Sequence, residues 1–240
     1  MRTMLILFTV ATLALSGFAA WLFFGGPEDD PTRVRLAQYV ARIEAMKPRA
    51  EAGDVQAEYD LARLYRLGQH GAKDLGEAFR WFAKAAERGH VGAQYALGTM
   101  YANGEAVTQD YFRAAEWHRL AASLGGSADA QVALGDLYFQ GRGVPHDVAE
   151  ARDWYRKAAE RGHPLGQYRL AAMMQEGYAG ALDPVEAFKW LTLALDQRDE
   201  LKAYDPDVDA KAARDRLAKT MTQDQLTRGE AAARSFQPKR

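Results

Sequence analysis

Apolar residues recur along most of this chain at spacings of three and four, and that local pattern is itself repeated with a longer period. Ala57, Leu61, Leu64 and Tyr65 share one face of a helix, and Ala78, Trp81, Phe82 and Ala85 share one face of the next. The pair of helices then returns, because Trp81, Trp117, Trp154 and Trp190 stand 36, 37 and 36 residues apart. Fixed columns surround each tryptophan: Ala57, Ala93, Ala130 and Gly166; Leu61, Leu97, Leu134 and Leu170; Tyr65, Tyr101 and Tyr138, with Met174 as the fourth member. A period of this length predicts stacked copies of one two-helix unit, each burying its apolar stripe against its neighbours.

Polar residues mark where the helices begin and end. Asp54, His90, Ser127 and His163 occupy the capping position of the first helix, and Pro164 follows His163 where a helix tolerates proline best. Gly68, Gly104, Gly141 and Gly177 close that helix. The second helix opens at Asp74, Asp110, Asp147 and Asp183, three of which have a glutamate three residues on (Glu77, Glu150, Glu186) and so predict capping boxes. Asp110 has Arg113 there instead.

The strings Ala93-Gln94-Tyr95-Ala96-Leu97-Gly98, Tyr101-Ala102-Asn103-Gly104 and Ala151-Arg152-Asp153-Trp154-Tyr155-Arg156-Lys157-Ala158-Ala159 resemble Sel-one-like repeats (SLR), relatives of the tetratricopeptide repeat. The resemblance covers residues 53–198 and implies an all-α, right-handed alpha-alpha superhelix of four units: 53–88, 89–125, 126–161 and 162–198. Met174, Thr192 and Leu193 depart from the pattern, as terminal repeats often do.

Both ends are expected to cap the stack. Residues 27–52 carry Val34, Ala37, Val40, Ala41 and Met46 at helical spacings and read as a half repeat. In residues 199–240, Asp205-Pro206 is expected to open a helix bearing Ala210, Ala213, Leu217 and Met221, Thr222 with Gln225 to cap another, and Gln237 to Arg240 to fray. Residues 1–26 are of another kind. Met4 to Phe24 holds no charge over 21 residues, about 30 Å of helix. Arg2 precedes the run and Glu28, Asp29 and Asp30 follow it, which predicts a single-pass anchor in a bacterial inner membrane with the repeats in the periplasm. A cleaved signal peptide ending at Phe18-Ala19-Ala20 is the alternative, leaving a soluble periplasmic or secreted protein.

Composition narrows the chemistry. A hydrophobic content of 48% can build a continuous core, and a net charge of -1 without a basic stripe argues against nucleic acid. Cysteine is absent, so nothing carries over from cysteine-rich SLR relatives linked to β-lactam binding or hydrolysis. Of the five histidines, His90 and His163 read as caps, His118 as a helix-surface residue, and His70 and His146 as loop residues. None has the spacing of a metal pair, and no metal, small-molecule cofactor or catalytic group is expected.

Binding is therefore the expected activity. The resemblance implies that the first helix of each unit faces a concave groove for a protein or peptide. Matching columns select Tyr59, Arg63 and Arg66, then Tyr95, Thr99 and Asn103, then Val132, Asp136, Phe139 and Gln140, and finally Tyr168. Phe139 stands where other units have Arg66, Ala102 and Gln175, and it reads either as a groove anchor or as packing against a neighbouring repeat. Repetition of the Tyr59 column favours a structural role. The reading is an adaptor or regulator of an envelope process, with a cell-wall or β-lactam hydrolase as the alternative.

Overall fold

The computed structural model describes residues 31–68, 73–178 and 183–239, which form twelve α-helices and no strand. These are α1 (Pro31–Glu51), α2 (Val55–Leu67), α3 (Leu75–Glu87), α4 (Val91–Asn103), α5 (Tyr111–Ser123), α6 (Ala128–Gln140), α7 (Val148–Glu160), α8 (Pro164–Gln175), α9 (Pro184–Asp196), α10 (Arg198–Tyr204), α11 (Ala210–Ala218) and α12 (Gln223–Arg234). Met4 to Phe24 and His70 lie outside the described residues. Two compact units meet at the Trp81–Phe82 bond within α3.

The capping positions follow the sequence pattern, but among the described residues the reciprocal capping-box bond expected of Glu77 and Glu150 is not made, because the Asp74 and Asp147 N–H groups donate instead to the Tyr65 and Tyr138 carbonyls, at 3.0 and 3.1 Å. The side chains of Asp54, His90, Ser127 and His163 accept from the backbone N–H three residues on, as do Asp110, Asp147 and Asp183 at the second helices. Gly68, Gly104 and Gly141 end α2, α4 and α6 with φ of 58°, 70° and 64°, the left-handed conformation that favours glycine.

In the first unit α1 packs on α2, and the Tyr39 hydroxyl donates to the Leu64 carbonyl at 3.0 Å. The buried stripe of α1 is Tyr39, Ile43 and Ala50, with Val40 and Met46 half-buried. Val34, Ala37 and Ala41, expected to face inward, are exposed. The tyrosine displaces them because its large ring can be buried while its hydroxyl still finds an acceptor.

In the second unit small residues set the spacing. Ala114, Ala121, Ala130, Ala151, Ala158, Ala187 and Ala194 are fully enclosed or nearly so, with Leu97, Leu134, Leu170 and Leu191 between them. Each buried leucine is worth about 1.5–3 kcal/mol. One glutamine per repeat locks successive repeats together: the Nε2 groups of Gln94, Gln131 and Gln167 donate to the carbonyls of Ala86, Ala122 and Ala159, which end the preceding second helix.

The carboxyl end departs from expectation in three ways. A seven-residue helix, α10, precedes the other two caps, so three helices follow α9. Asp205 ends α10 rather than opening α11, whose cap is Asp209, accepting from Ala212 N at 2.9 Å. Asp205 is instead committed to Arg169, 3.3 Å away. Thr222 and Gln225 do form the expected capping box. The tail, lastly, is docked and not frayed: Phe236 meets Trp190 edge to face at 5.3 Å, and Lys239 gives its N–H to the Glu160 carbonyl and its ammonium to the Glu160 carboxylate. The end of α7 supplies the unpaired carbonyl that holds it. Phe236→Ala is expected to lower stability by about 1–2 kcal/mol, since the ring is only half-buried, and thermal unfolding of the full chain checks this.

Candidate functional site

The first-helix columns expected to form a binding face are divided by the structure into three groups. In the first unit, Tyr59 and Arg66 are half-buried and the Arg63 guanidinium lies 5.7 Å from the Tyr59 ring centre, a cation–π pair at the surface. In the second unit, Asn103, Phe139 and Gln140 are exposed, while Tyr95 and Thr99 are half-buried. The Thr99 hydroxyl donates to the Tyr95 carbonyl of its own helix at 3.0 Å, and the Asn103 amide donates to Glu105 at 2.9 Å.

Val132 is a correction. It is 4% exposed and belongs to the core with Ala151, Tyr155 and Leu170, because the short side chain that stands here in place of the column's tyrosine is enclosed by that cluster. Tyr168 is half-buried and packs on the same cluster. Asp136 is partly exposed yet committed: the Tyr155 hydroxyl donates to its Oδ1 at 2.6 Å, and Arg169 bridges it at 3.7 Å to Asp205. Burial raises the Asp136 carboxyl, while the Tyr155 hydroxyl and the Arg169 charge pull the other way.

A neighbouring cluster closes the face from the carboxyl side. The Tyr204 ring at the end of α10 lies 4.5 Å from the His163 ring, and its hydroxyl approaches Asp129, whose Oδ1 is 3.2 Å from His163 Nε2. The bond to His163 comes first among the causes that hold Asp129 below its ordinary range. His163 therefore caps α8 through Nδ1 and binds α6 through Nε2. Tyr204 and Asp205 cover part of the face that the sequence pattern left open. Only the period could have hinted at this, since α10 has no counterpart in the repeats.

Among the residues that stay uncovered is an aromatic pair. Phe139, 37% exposed, meets Tyr178, 46% exposed, edge to face at 5.8 Å. Tyr178 lies just beyond α8 and was not among the expected residues.

His118, expected at a helix surface, is 2% exposed and stacks against Tyr95 with ring centres 5.5 Å apart. Burial alone pushes its pKa down to about 4. It stands in one column with Phe82, Tyr155 and Leu191, all buried, so the repeat register would have placed it correctly. His90 and His163 cap helices and His146 is exposed. Among the described residues no group of three or more His, Cys, Asp or Glu could hold a metal ion, and no helix is long and apolar enough to cross a membrane.

The Sel1 repeat family model matches residues 55–90, 91–126, 128–163 and 164–199. Among solved structures, a protective antigen present in uropathogenic Escherichia coli strains, displaying an SLR fold, is 41% identical with a TM-score of 0.62 over 65% of this chain. The match spans 33% of the E. coli protein. A Sel1 repeat protein from Oxalobacter formigenes is 24% identical with a TM-score of 0.62, covering 78% of this chain and 75% of that one, and supports the fold alone. No curated protein matches the chain significantly.

Proposed function

We infer, since the chain belongs to the Sel1 repeat family, that it works by binding another protein along the first-helix face of its second unit. Sel1 repeat proteins are generally interaction modules and not catalysts. The finer reading is an adaptor or regulator of an envelope process, tethered to a bacterial inner membrane by residues 4–24 with the repeats in the periplasm. The uncharged run between Arg2 and the acidic triplet Glu28 to Asp30 supports the tether. Confinement near the membrane would raise the effective concentration of the face for envelope partners without new contacts.

The observation that carries the reading is the exposed Phe139–Tyr178 pair, placed where the covering by Tyr204 and Asp205 leaves off. Two aromatic edges in one patch supply contact area at low entropic cost and suit an apolar anchor residue of a partner. A photocrosslinker at Gln140 in cells is expected to capture a discrete product, and Phe139→Ala to reduce it at least about tenfold. An undiminished product would remove the pair from the binding face. A topology reporter at the carboxyl end tests the orientation, and a cytosolic readout would refute the periplasmic placement.

A further inference from the structure

The break that Phe139 makes in its column is made three times on α5. Leu124, just past the helix, is 82% exposed, Phe112 62% and Leu120 39%. The positions equivalent to Leu124 in the units before and after hold Arg88 and Arg161, those equivalent to Leu120 hold Lys84 and Lys157, and those equivalent to Phe112 hold Gly76 and Ala149. Lys84, Arg88, Lys157 and Arg161 are all exposed. In the fourth unit the matching Val185 and Leu193 are apolar, but both are half-buried there. The three large side chains of the second repeat share the outward side of α5, turned away from its buried Ala114, His118 and Ala121.

Basic neighbours stand on either side of Leu124. Arg161 holds its guanidinium against Gly126, where a Cβ would sit 2.5 Å from Nη2. Across the turn Val91, three residues past Arg88, lies so close to Gly125 that a Cβ there would collide with its side chain. Arg119 is exposed on α5 and donates to the Tyr138 hydroxyl at 3.2 Å. At the other end of the helix Phe112 precedes Arg113, and the Arg142 guanidinium lies 5.2 Å from the Tyr111 ring centre. Glu116 is the sole carboxylate of α5, and of the acids ending the flanking helices, Glu87 and Glu160, the second is paired with Lys239.

This arrangement selects among occupants. A second copy in a two-fold dimer would lay the face on itself and set basic columns against basic columns. A protein partner needs packed, water-free contact around each anchor, and a leucine as exposed as Leu124 is a protrusion at a turn with no wall beside it. A lipid surface asks for neither. Its acyl boundary accepts protruding apolar groups of any shape, and anionic headgroups pair with lysine and arginine whose stems lie along that boundary.

We propose that the outward side of α5 docks on a bilayer containing anionic lipid. Leu124, Leu120 and Phe112 enter the headgroup boundary, while Arg88, Arg119, Lys157 and Arg161 meet the phosphates. The helix, 13 residues and about 20 Å long, lies in the plane of the surface. Docking uses no residue of the Phe139–Tyr178 patch, which stays available to a protein.

Because the chain has no cysteine, one introduced thiol places a label unambiguously. The full chain carrying Ser123→Cys, exposed beside Leu124, is labelled with a nitrobenzoxadiazole dye and mixed with vesicles of phosphatidylcholine and phosphatidylglycerol in equal parts, bearing acyl-chain nitroxides. Quenching is expected to be at least about threefold stronger than for the same dye at Gln140→Cys, an exposed site on α6. Comparing two sites on one chain reads the docked face, whether the chain reaches the vesicle through residues 4–24 or through α5 alone. Phosphatidylcholine vesicles should quench the dye at position 123 at least about threefold less. Leu124→Glu, at a site too exposed to endanger folding, should remove most of the difference between the two sites, and Arg88→Gln combined with Arg161→Gln should shrink it. Equal quenching at both sites, equal quenching without anionic lipid, or no response to these variants would overturn the proposal. A dye unmoved by vesicles but blue-shifted by added unlabelled chain would assign the face to a second copy, and one blue-shifted only in cell extract to a protein partner; each result sinks lipid docking.

Discussion

Tyr155→Ala is expected to be the most damaging single change in the second unit, lowering its stability by about 3–5 kcal/mol. The side chain is 2% exposed, and its ring lies so near Gly135 that a Cβ there would come within 2.7 Å of Cε1. Truncation leaves a hole between α6 and α7 that these backbones, held apart by alanines elsewhere, cannot close. It also removes the donor to Asp136, a carboxyl already raised by burial. Tyr155→Phe separates the two effects, since it keeps the ring and should cost only about 1 kcal/mol, the penalty of one lost bond to a half-buried acceptor. Urea unfolding at neutral pH measures both. In a solenoid each repeat contacts chiefly its neighbours, so the alanine variant is also expected to broaden the transition as repeats on either side unfold apart. A cost near that of the phenylalanine variant would mean that the cavity collapses.

Much of the fold was legible because every repeat restates it. Four copies of one pattern place Leu97, Leu134 and Leu170 in the core, His90 and His163 at caps, and the closing glycines at left-handed positions. The same register contained information that side-chain chemistry obscured. His118 reads as a surface residue by its type, yet its column is otherwise phenylalanine, tyrosine and leucine. The locking glutamines Gln94, Gln131 and Gln167 also formed a visible column, but their bonds cross from one repeat to the carbonyls of the one before, which a pattern within a single helix does not display.

The candidate site was less legible, for a physical reason. A groove column is free only if nothing outside the repeats packs on it. Here Tyr204 packs on His163 and Arg169 ties Asp136 to Asp205, and the periodic pattern has no term for residues that occur once. The docked tail escaped notice likewise, because Lys239 finds Glu160 across 79 positions of sequence. Phe139 stayed legible because it breaks its column and remains exposed.

The second large effect is a loss of stability in weak acid, carried by His118. Its ring is buried with no charged neighbour among the described residues to favour protonation, and its pKa falls from 6.5 to about 4. The unfolded chain therefore takes up the proton first. Above pH 6.5 neither state holds it and stability is unaffected; as pH falls below 6.5 the unfolded state is favoured progressively, until near pH 4 the folded form protonates too and the dependence ends. Between pH 7 and pH 5 the loss should be about 2 kcal/mol. His118→Phe tests the cause, because phenylalanine already stands in this column at Phe82, and Gly98 opposite lets a ring lie close to its backbone, a Cβ there lying 2.7 Å from His118 Nδ1. The variant should match or exceed the parent at pH 7, having lost an unpartnered Nδ1, and should fall by about 2 kcal/mol less than the parent between pH 7 and pH 5. Carboxylates such as Asp129, whose pKa is lowered, lose their contribution only at more acid pH and cancel in the difference between the two proteins. Paired urea titrations at pH 7 and pH 5 decide the matter: equal losses in parent and variant would assign the acid sensitivity elsewhere, whereas a smaller loss in the variant fixes the difference on one imidazole that the repeat register, and not its own polarity, put inside.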